Sequence, residues 1–134
     1  MRVGIFDFMD CAHLVKALDG CEVPHGHTYK VEVVVEGELK DGMVMDFKAL
    51  RETAKRAMAK YDHKDLSTIF EVPSCENVCL GLFKDIQKEL PRLQSVRLWE
   101  GHNKWAEASV QDASLSKEPM LAMGPSGASG QVSR

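Results

Sequence analysis

Residues 27–37 carry the clearest period-two pattern in this chain. Tyr29, Val31, Val33 and Val35 fall on one parity, Lys30, Glu32 and Glu36 on the other, and Val34 alone breaks the pattern. A period of two sends one set of side chains to a buried face and the other to water, which a helix with 3.6 residues per turn does not do. The stretch therefore reads as a half-buried strand. It needs partner strands beside it and a second layer over its apolar face.

The rest of the chain offers both. Residues 3–9 read as a first strand, and residues 14–24, with Gly20 and Pro24, as a loop. Gly37 to Gly42 reads as a turn from which Met43, Val44 and Met45 return as a short third strand. Asp46 is placed to cap a helix over 47–60, with Phe47, Leu50, Ala54, Ala57 and Met58 on one stripe. Residues 61–73 form a loop, and Ser74 caps a second helix with Glu76 in its first turn. Val78, Leu82, Ile86 and Leu90 recur every four residues along it, and Pro91 ends it. Strands are expected over 94–100 and 104–110. The order β-β-β-α-α-β-β clusters the strands, which favours an α+β layer with two helices on one face of an antiparallel sheet. Residues 1–110 read as one domain. Residues 111–134, rich in Ser, Gly and Pro and without periodicity, read as a flexible C-terminal tail.

A chain of 134 residues buries roughly two-thirds of its unfolded surface, enough for a core without staples. Its net charge of −3 lacks the basic stripe of a nucleic-acid binder. No apolar run reaches the ~20 residues of a membrane helix. Met1-Arg2-Val3 leads straight into strand-like sequence without a signal peptide, so the expected location is cytoplasmic. There, Cys11, Cys21, Cys75 and Cys79 stay reduced, and Cys11, Cys75 and Cys79 read as packing. Glycine-rich phosphate loops, nucleophile elbows and internal repeats are missing from the sequence.

Chemistry concentrates near the mouth of the strong strand. His25 and His27 lie two apart and so share a face, with Gly26 between them to permit close approach of backbone or ligand. His13 ends the first strand, which could pair alongside. Three imidazoles with a vacant fourth position describe a catalytic zinc site, because water or substrate needs the vacancy. From spacing alone, scattered histidines remain the other reading.

Cys21 and Glu22 stand just before the pair. A thiol near a metal or an imidazolium has a lowered pKa, which suits a base or a fourth ligand. Glu22 is a second candidate base. Asp62-His63 could move protons, the carboxylate orienting the imidazole, or could be a polar helix end. Glu100 is a solvated strand end or a carboxylate gripping an N–C–N edge through two hydrogen bonds.

Taken together, Cys21-Glu22-Val23-Pro24-His25-Gly26-His27-Thr28-Tyr29, Gly42-Met43-Val44-Met45-Asp46-Phe47, Asp62-His63, Pro73-Ser74-Cys75-Glu76-Asn77 and Glu100 resemble the 6-pyruvoyl-tetrahydropterin synthase family. That family includes the 6-carboxy-tetrahydropterin synthases of the queuosine pathway. The likeness spans about residues 3–108 in order. It implies the tunnelling fold, a four-stranded antiparallel sheet with two helices on one face, in which residues 43–45 belong to a longer bent strand. It also implies trimers closing a twelve-stranded barrel, two trimers stacking into a homohexamer, and active sites between subunits. By resemblance, His13, His25 and His27 hold zinc, which acidifies the side-chain hydroxyls of 7,8-dihydroneopterin triphosphate. Cys21 becomes the proton-abstracting thiolate, Asp62 and His63 the relay, and Glu100 the pterin anchor. Ser74 and Glu76 join the substrate-binding groups.

Two branches of the family are written into one segment. Cys-x3-His-Gly-His resembles the carboxy-tetrahydropterin branch. Glu-x2-His-Gly-His resembles a branch that cleaves the side chain to give 6-hydroxymethyl-dihydropterin for folate. Asp10 departs from the family's usual pattern before the first histidine. A non-catalytic pterin- or metal-binding module, and a structural zinc site with Cys21 as fourth ligand, are the remaining alternatives.

Overall fold

The computed structural model describes residues 1–14 and 24–115. The alternating stretch forms β2 (His25–Glu36), flanked by β1 (Arg2–His13) and β3 (Leu93–Glu100), with β4 (Lys104–Ser109) beyond β3. All three pairings are antiparallel, and the sheet order is β1-β2-β3-β4. Tyr29, Val31, Val33 and Val35 are fully buried. The register of β2 on β3 shifts between Val34 and Val35, where the alternation of β2 itself breaks.

Two helices cover the inward face. In α1 (Phe47–Met58), the Asp46 carboxylate accepts the Ala49 N–H, and Leu50, Thr53, Ala54, Ala57 and Met58 are buried. In α2 (Cys75–Glu89), the Ser74 hydroxyl accepts the Asn77 N–H, and Val78, Cys79, Leu82, Phe83 and Ile86 are buried. Each large apolar side chain removed from water here contributes about 1.5–3 kcal/mol. Gly81 lets α2 approach the loop below it, since a Cβ there would stand 2.9 Å from the Phe70 ring. The result is the expected α+β arrangement.

Three expectations change. β1 does not stop at residue 9. It continues to His13 because Cys11 and His13 keep the inward parity and pair with His27 and His25 of β2. Residues 43–45 form no third strand, nor part of a longer bent one. A single bridge joins Lys40 and Met43 around a turn whose Asp41 and Gly42 have positive φ of 52° and 79°. The helix cap at Asp46 follows too soon for a ladder, so Val44 enters the core and Arg92 takes its carbonyl at 2.8 Å. The loop after α1 contains a 3-10 turn, Leu66–Thr68, and a short helix α3 (Val110–Leu115) follows β4. No helix among the described residues is long and apolar enough to cross a membrane.

Among the described residues, no helix covers the other sheet face. Phe6, Phe8 and Trp105 are about half exposed on it. Its charges are paired across strands, Arg2 with Glu36 and Arg97 with Glu107. β1 and β4 are the sheet's edges. At its far end the β1 edge is occupied by loop backbone: Ala12 N–H donates to the Lys64 carbonyl at 3.0 Å, and His63 N–H to the Asp10 carbonyl at 2.7 Å.

Candidate functional site

The sheet's parity builds the three-histidine cluster. His13 is the last residue of β1 and lies opposite His25, the first of β2, while His27 lies opposite Cys11. All three therefore point to the helix side at the open end of the sheet. Gly26 between them points the other way. Close approach of backbone does not require it, because a Cβ there would meet the Cys11 carbonyl at an ordinary 3.6 Å.

The Nε2 atoms of His25 and His27 each lie 3.1 Å from Nε2 of His13. The three ligand atoms fall within 4.8 Å of one another. Two nitrogens bound to zinc at about 2.05 Å across a tetrahedral angle stand roughly 3.3 Å apart, which the two 3.1 Å spacings from His13 match. The rings meet edge to face, with centroids 4.6–4.8 Å apart.

Protonation agrees. His13 is 2% exposed, and its Nδ1 lies 2.9 Å from the Pro73 carbonyl oxygen. A carbonyl only accepts, so Nδ1 carries the hydrogen and Nε2 presents its lone pair to the other two rings. A proton on a neighbouring ring, or a cation, has to lie between them. Burial holds the His27 pKa below its ordinary value, with Glu100 opposing that shift. A neutral imidazole is the form that binds a metal. Three nitrogen donors and no fourth among the described residues fit an open metal centre.

Glu100 is also brought to the cluster, its Oε1 lying 3.7 Å from His27 Nε2. Its position follows from β3 ending opposite Tyr29. Tyr29 was legible in the sequence only as a strand residue. Its ring forms the buried floor beneath His13 and His27, and its hydroxyl lies 3.4 Å from His13 Nδ1. Burial, Glu100 and two neighbouring thiols raise its pKa, so it stays a phenol.

Asp62 and His63 form their pair, with Asp62 Oδ1 3.0 Å from His63 Nδ1. Asp62 Oδ1 also accepts the Asp10 N–H at 2.9 Å, and His63 holds a left-handed φ of 60°. The Asp10 carboxylate is itself held by the Thr28 hydroxyl at 2.6 Å. His63 of the dyad lines an open groove of about 440 Å³ together with Asp10, Cys11, Ala12, Gly26, His27 and Thr28. Asp10, Ala12, Gly26 and Thr28 carry the opposite parity to the three histidines, while Cys11 and His27 share it. The dyad thus sits over the β1 edge, and the groove beside it reaches His27 of the cluster.

Ser74 and Glu76 begin α2 beside the cluster, through Pro73. The Ser74 hydroxyl is the helix cap, and Glu76 is exposed in the first turn. Cys21 and Glu22 lie outside the described residues. The other three cysteines pack as expected. Burial pushes Cys11, Cys75 and Cys79 each up to about 12, with Asp62 adding to Cys11 and Glu100 to Cys75. None of the three is a thiolate base at neutral pH.

Comparison with known proteins agrees with this geometry. The chain is 38% identical over 108 residues to an Archaeoglobus fulgidus protein provisionally named a 6-carboxy-5,6,7,8-tetrahydropterin synthase, covering 80% of this chain and 94% of that one. It is 43% identical over 96 residues to the dihydroneopterin monophosphate aldolase of Pyrococcus furiosus, covering 69% and 83%. The Caenorhabditis elegans 6-pyruvoyl tetrahydropterin synthase superposes with a TM-score of 0.74 at 22% identity, over 81% of this chain and 94% of that one. That superposition identifies the sheet and its two helices as the tunnelling fold. The profile of the family described as 6-pyruvoyl tetrahydropterin synthase matches residues 4–111, and the chain is a member of that family.

Proposed function

We propose that this protein is a zinc-dependent 6-carboxy-5,6,7,8-tetrahydropterin synthase. It converts 7,8-dihydroneopterin triphosphate and one water to 6-carboxytetrahydropterin, acetaldehyde and triphosphate, a step of queuosine biosynthesis. The observation that carries the reading is the convergence of three imidazole lone pairs beside Glu100. A metal polarises hydroxyls at such a cluster, and a carboxylate at its rim binds an aminopyrimidine edge. Zinc held by His13, His25 and His27 supplies acidity to the substrate's side-chain hydroxyls. Glu100 orients the ring, Cys21 accepts the side-chain proton as thiolate, and Asp62-His63 returns a proton. Ser74 and Glu76 frame the substrate from the start of α2.

The dyad's position on the β1 edge supports a site shared between subunits. An antiparallel β4 edge of a neighbouring copy laid along Arg2–Phe8 brings that copy's Glu100 turn toward this chain's Asp62 and His63. Aromatic side chains and self-paired charges on the helix-free face suit enclosure in such an assembly. A homohexamer of stacked trimers is the proposed form, with a small-molecule pterin as ligand, no nucleic acid or membrane partner, and a cytoplasmic location.

The relative named dihydroneopterin monophosphate aldolase favours a second reading, cleavage to 6-hydroxymethyl-dihydropterin with Glu22 as base. Incubation of the zinc-loaded protein with 7,8-dihydroneopterin triphosphate, with products identified by mass, separates the two. Acetaldehyde with 6-carboxytetrahydropterin is the expected result. A glycolaldehyde fragment with 6-hydroxymethyl-dihydropterin as sole product transfers the assignment to the second reading. Pterin binding without turnover of either the triphosphate or 7,8-dihydroneopterin monophosphate refutes both.

A further inference from the structure

The segment Pro73-Ser74-Cys75-Glu76-Asn77 has a role the reaction above does not use. Pro73 is buried, and its carbonyl is the acceptor that fixes His13 at 2.9 Å. The two residues flanking Pro73 are both held by Asn77. Its backbone N–H donates to the Ser74 hydroxyl at 3.2 Å, and its side-chain Nδ2 donates to the Val72 carbonyl at 2.9 Å. Val78 N–H donates to the Ser74 carbonyl at 3.0 Å. The peptide between those anchors therefore cannot rotate without breaking the start of α2. The first turn of a helix here sets the direction of one carbonyl, and that carbonyl sets the tautomer and tilt of one imidazole.

We propose that Asn77 and Ser74 are positioning residues for the metal centre, acting on His13 through the Pro73 carbonyl. The inference rests on the reading of the three histidines as a metal site. Groups that orient a ligating histidine through its other ring nitrogen change metal affinity by about 10–100-fold when lost. Asn77→Asp keeps the size of the side chain and suits the first turn of a helix, where a carboxylate is favoured. It removes the donor to the Val72 carbonyl and sets an oxygen against it. Ser74→Ala removes the cap, and Ser74→Thr keeps it.

Two measurements test the bracket. Zinc affinity is read by competition with a chelator. The His13 tautomer is read in the metal-free protein from histidine ¹H–¹⁵N correlation spectra. Wild type and Ser74→Thr are expected to show a protected His13 Nδ1–H. Asn77→Asp and Ser74→Ala are expected to lose that signal and bind zinc at least tenfold more weakly, with unchanged helix content by circular dichroism. An Asn77→Asp protein with the protected signal intact and zinc affinity within twofold of wild type overturns the proposal. A wild-type chain that binds no zinc, yet loses the His13 signal in Asn77→Asp, supports the bracket and refutes the metal reading.

Discussion

Tyr29 and Glu100 stand opposite each other across β2 and β3, at the point where β3 ends. That pairing leaves the Glu100 carboxylate beside His27 and the Tyr29 ring beneath it, so one cross-strand register places both the floor and the rim of the cluster. Glu100→Gln is expected to weaken pterin binding by roughly 10–100-fold, the range for losing a charge-assisted bidentate pair. Zinc content should not change. Titration of dihydroneopterin against zinc-loaded wild type and variant checks this.

Thiol chemistry gives a second expectation. With pKa values pushed up to about 12, Cys11, Cys75 and Cys79 hold on the order of one thiolate in ten thousand at pH 8. If Cys21 is the base, brief treatment of the native protein with iodoacetamide modifies that residue alone, and zinc occupancy or substrate changes its rate. Peptide mass spectrometry reads the site. Rapid labelling of Cys75 instead would remove the argument that burial silences it.

The two candidate bases are separable by product. Cys21→Ala is expected to abolish 6-carboxytetrahydropterin formation while one zinc per chain is retained. Glu22→Ala should leave that product and remove any 6-hydroxymethyl-dihydropterin. Full carboxy-tetrahydropterin synthesis by Cys21→Ala would show that the thiol is not the base.

Acid should destabilise the metal-free protein through His27. Burial lowers its pKa in the folded state, so the unfolded chain takes up the proton first as pH falls. Stability from this residue is therefore present above the unfolded value, about 6.5, and declines as pH drops below it. Urea unfolding at pH 7.5 and pH 5.5 should show a smaller loss in His27→Gln than in wild type. An equal loss in both proteins would place the acid sensitivity elsewhere.

Much of this was legible in the sequence, because strand parity is a strong code. The buried row of β2, the caps at Asp46 and Ser74, and the shared face of His25 and His27 all follow from period and residue type. Other features came from pairing that a single sequence does not display. Polar Asp10 and small Ala12 hid the last turns of β1 until its register on β2 was seen. Met43, Val44 and Met45 have strand-forming side chains, but an adjacent cap and a tight turn leave them no ladder. The Pro73 carbonyl that orients His13 is a backbone group, and residue type says nothing about its direction. The placement of Asp62-His63 on the far side of β1 likewise depends on how a loop lies along an edge.

Shared sites predict recovery by mixing. His27→Ala lacks a ligand and Asp62→Ala lacks the relay, so each alone should be inactive. If one site draws His27 and Asp62 from different copies, denatured and co-refolded mixtures regain up to roughly one quarter of wild-type activity by random assembly into a symmetric oligomer. A mixture as inactive as its components would place the whole site within one chain.

Whether three imidazoles form an open zinc centre is read by X-ray absorption at the zinc edge of the loaded resting protein. The expected result is one zinc per chain with three imidazole nitrogens at about 2.0–2.1 Å and one further light ligand. A sulfur at about 2.3 Å in the resting protein would instead make Cys21 a fourth ligand and the site a closed, structural one.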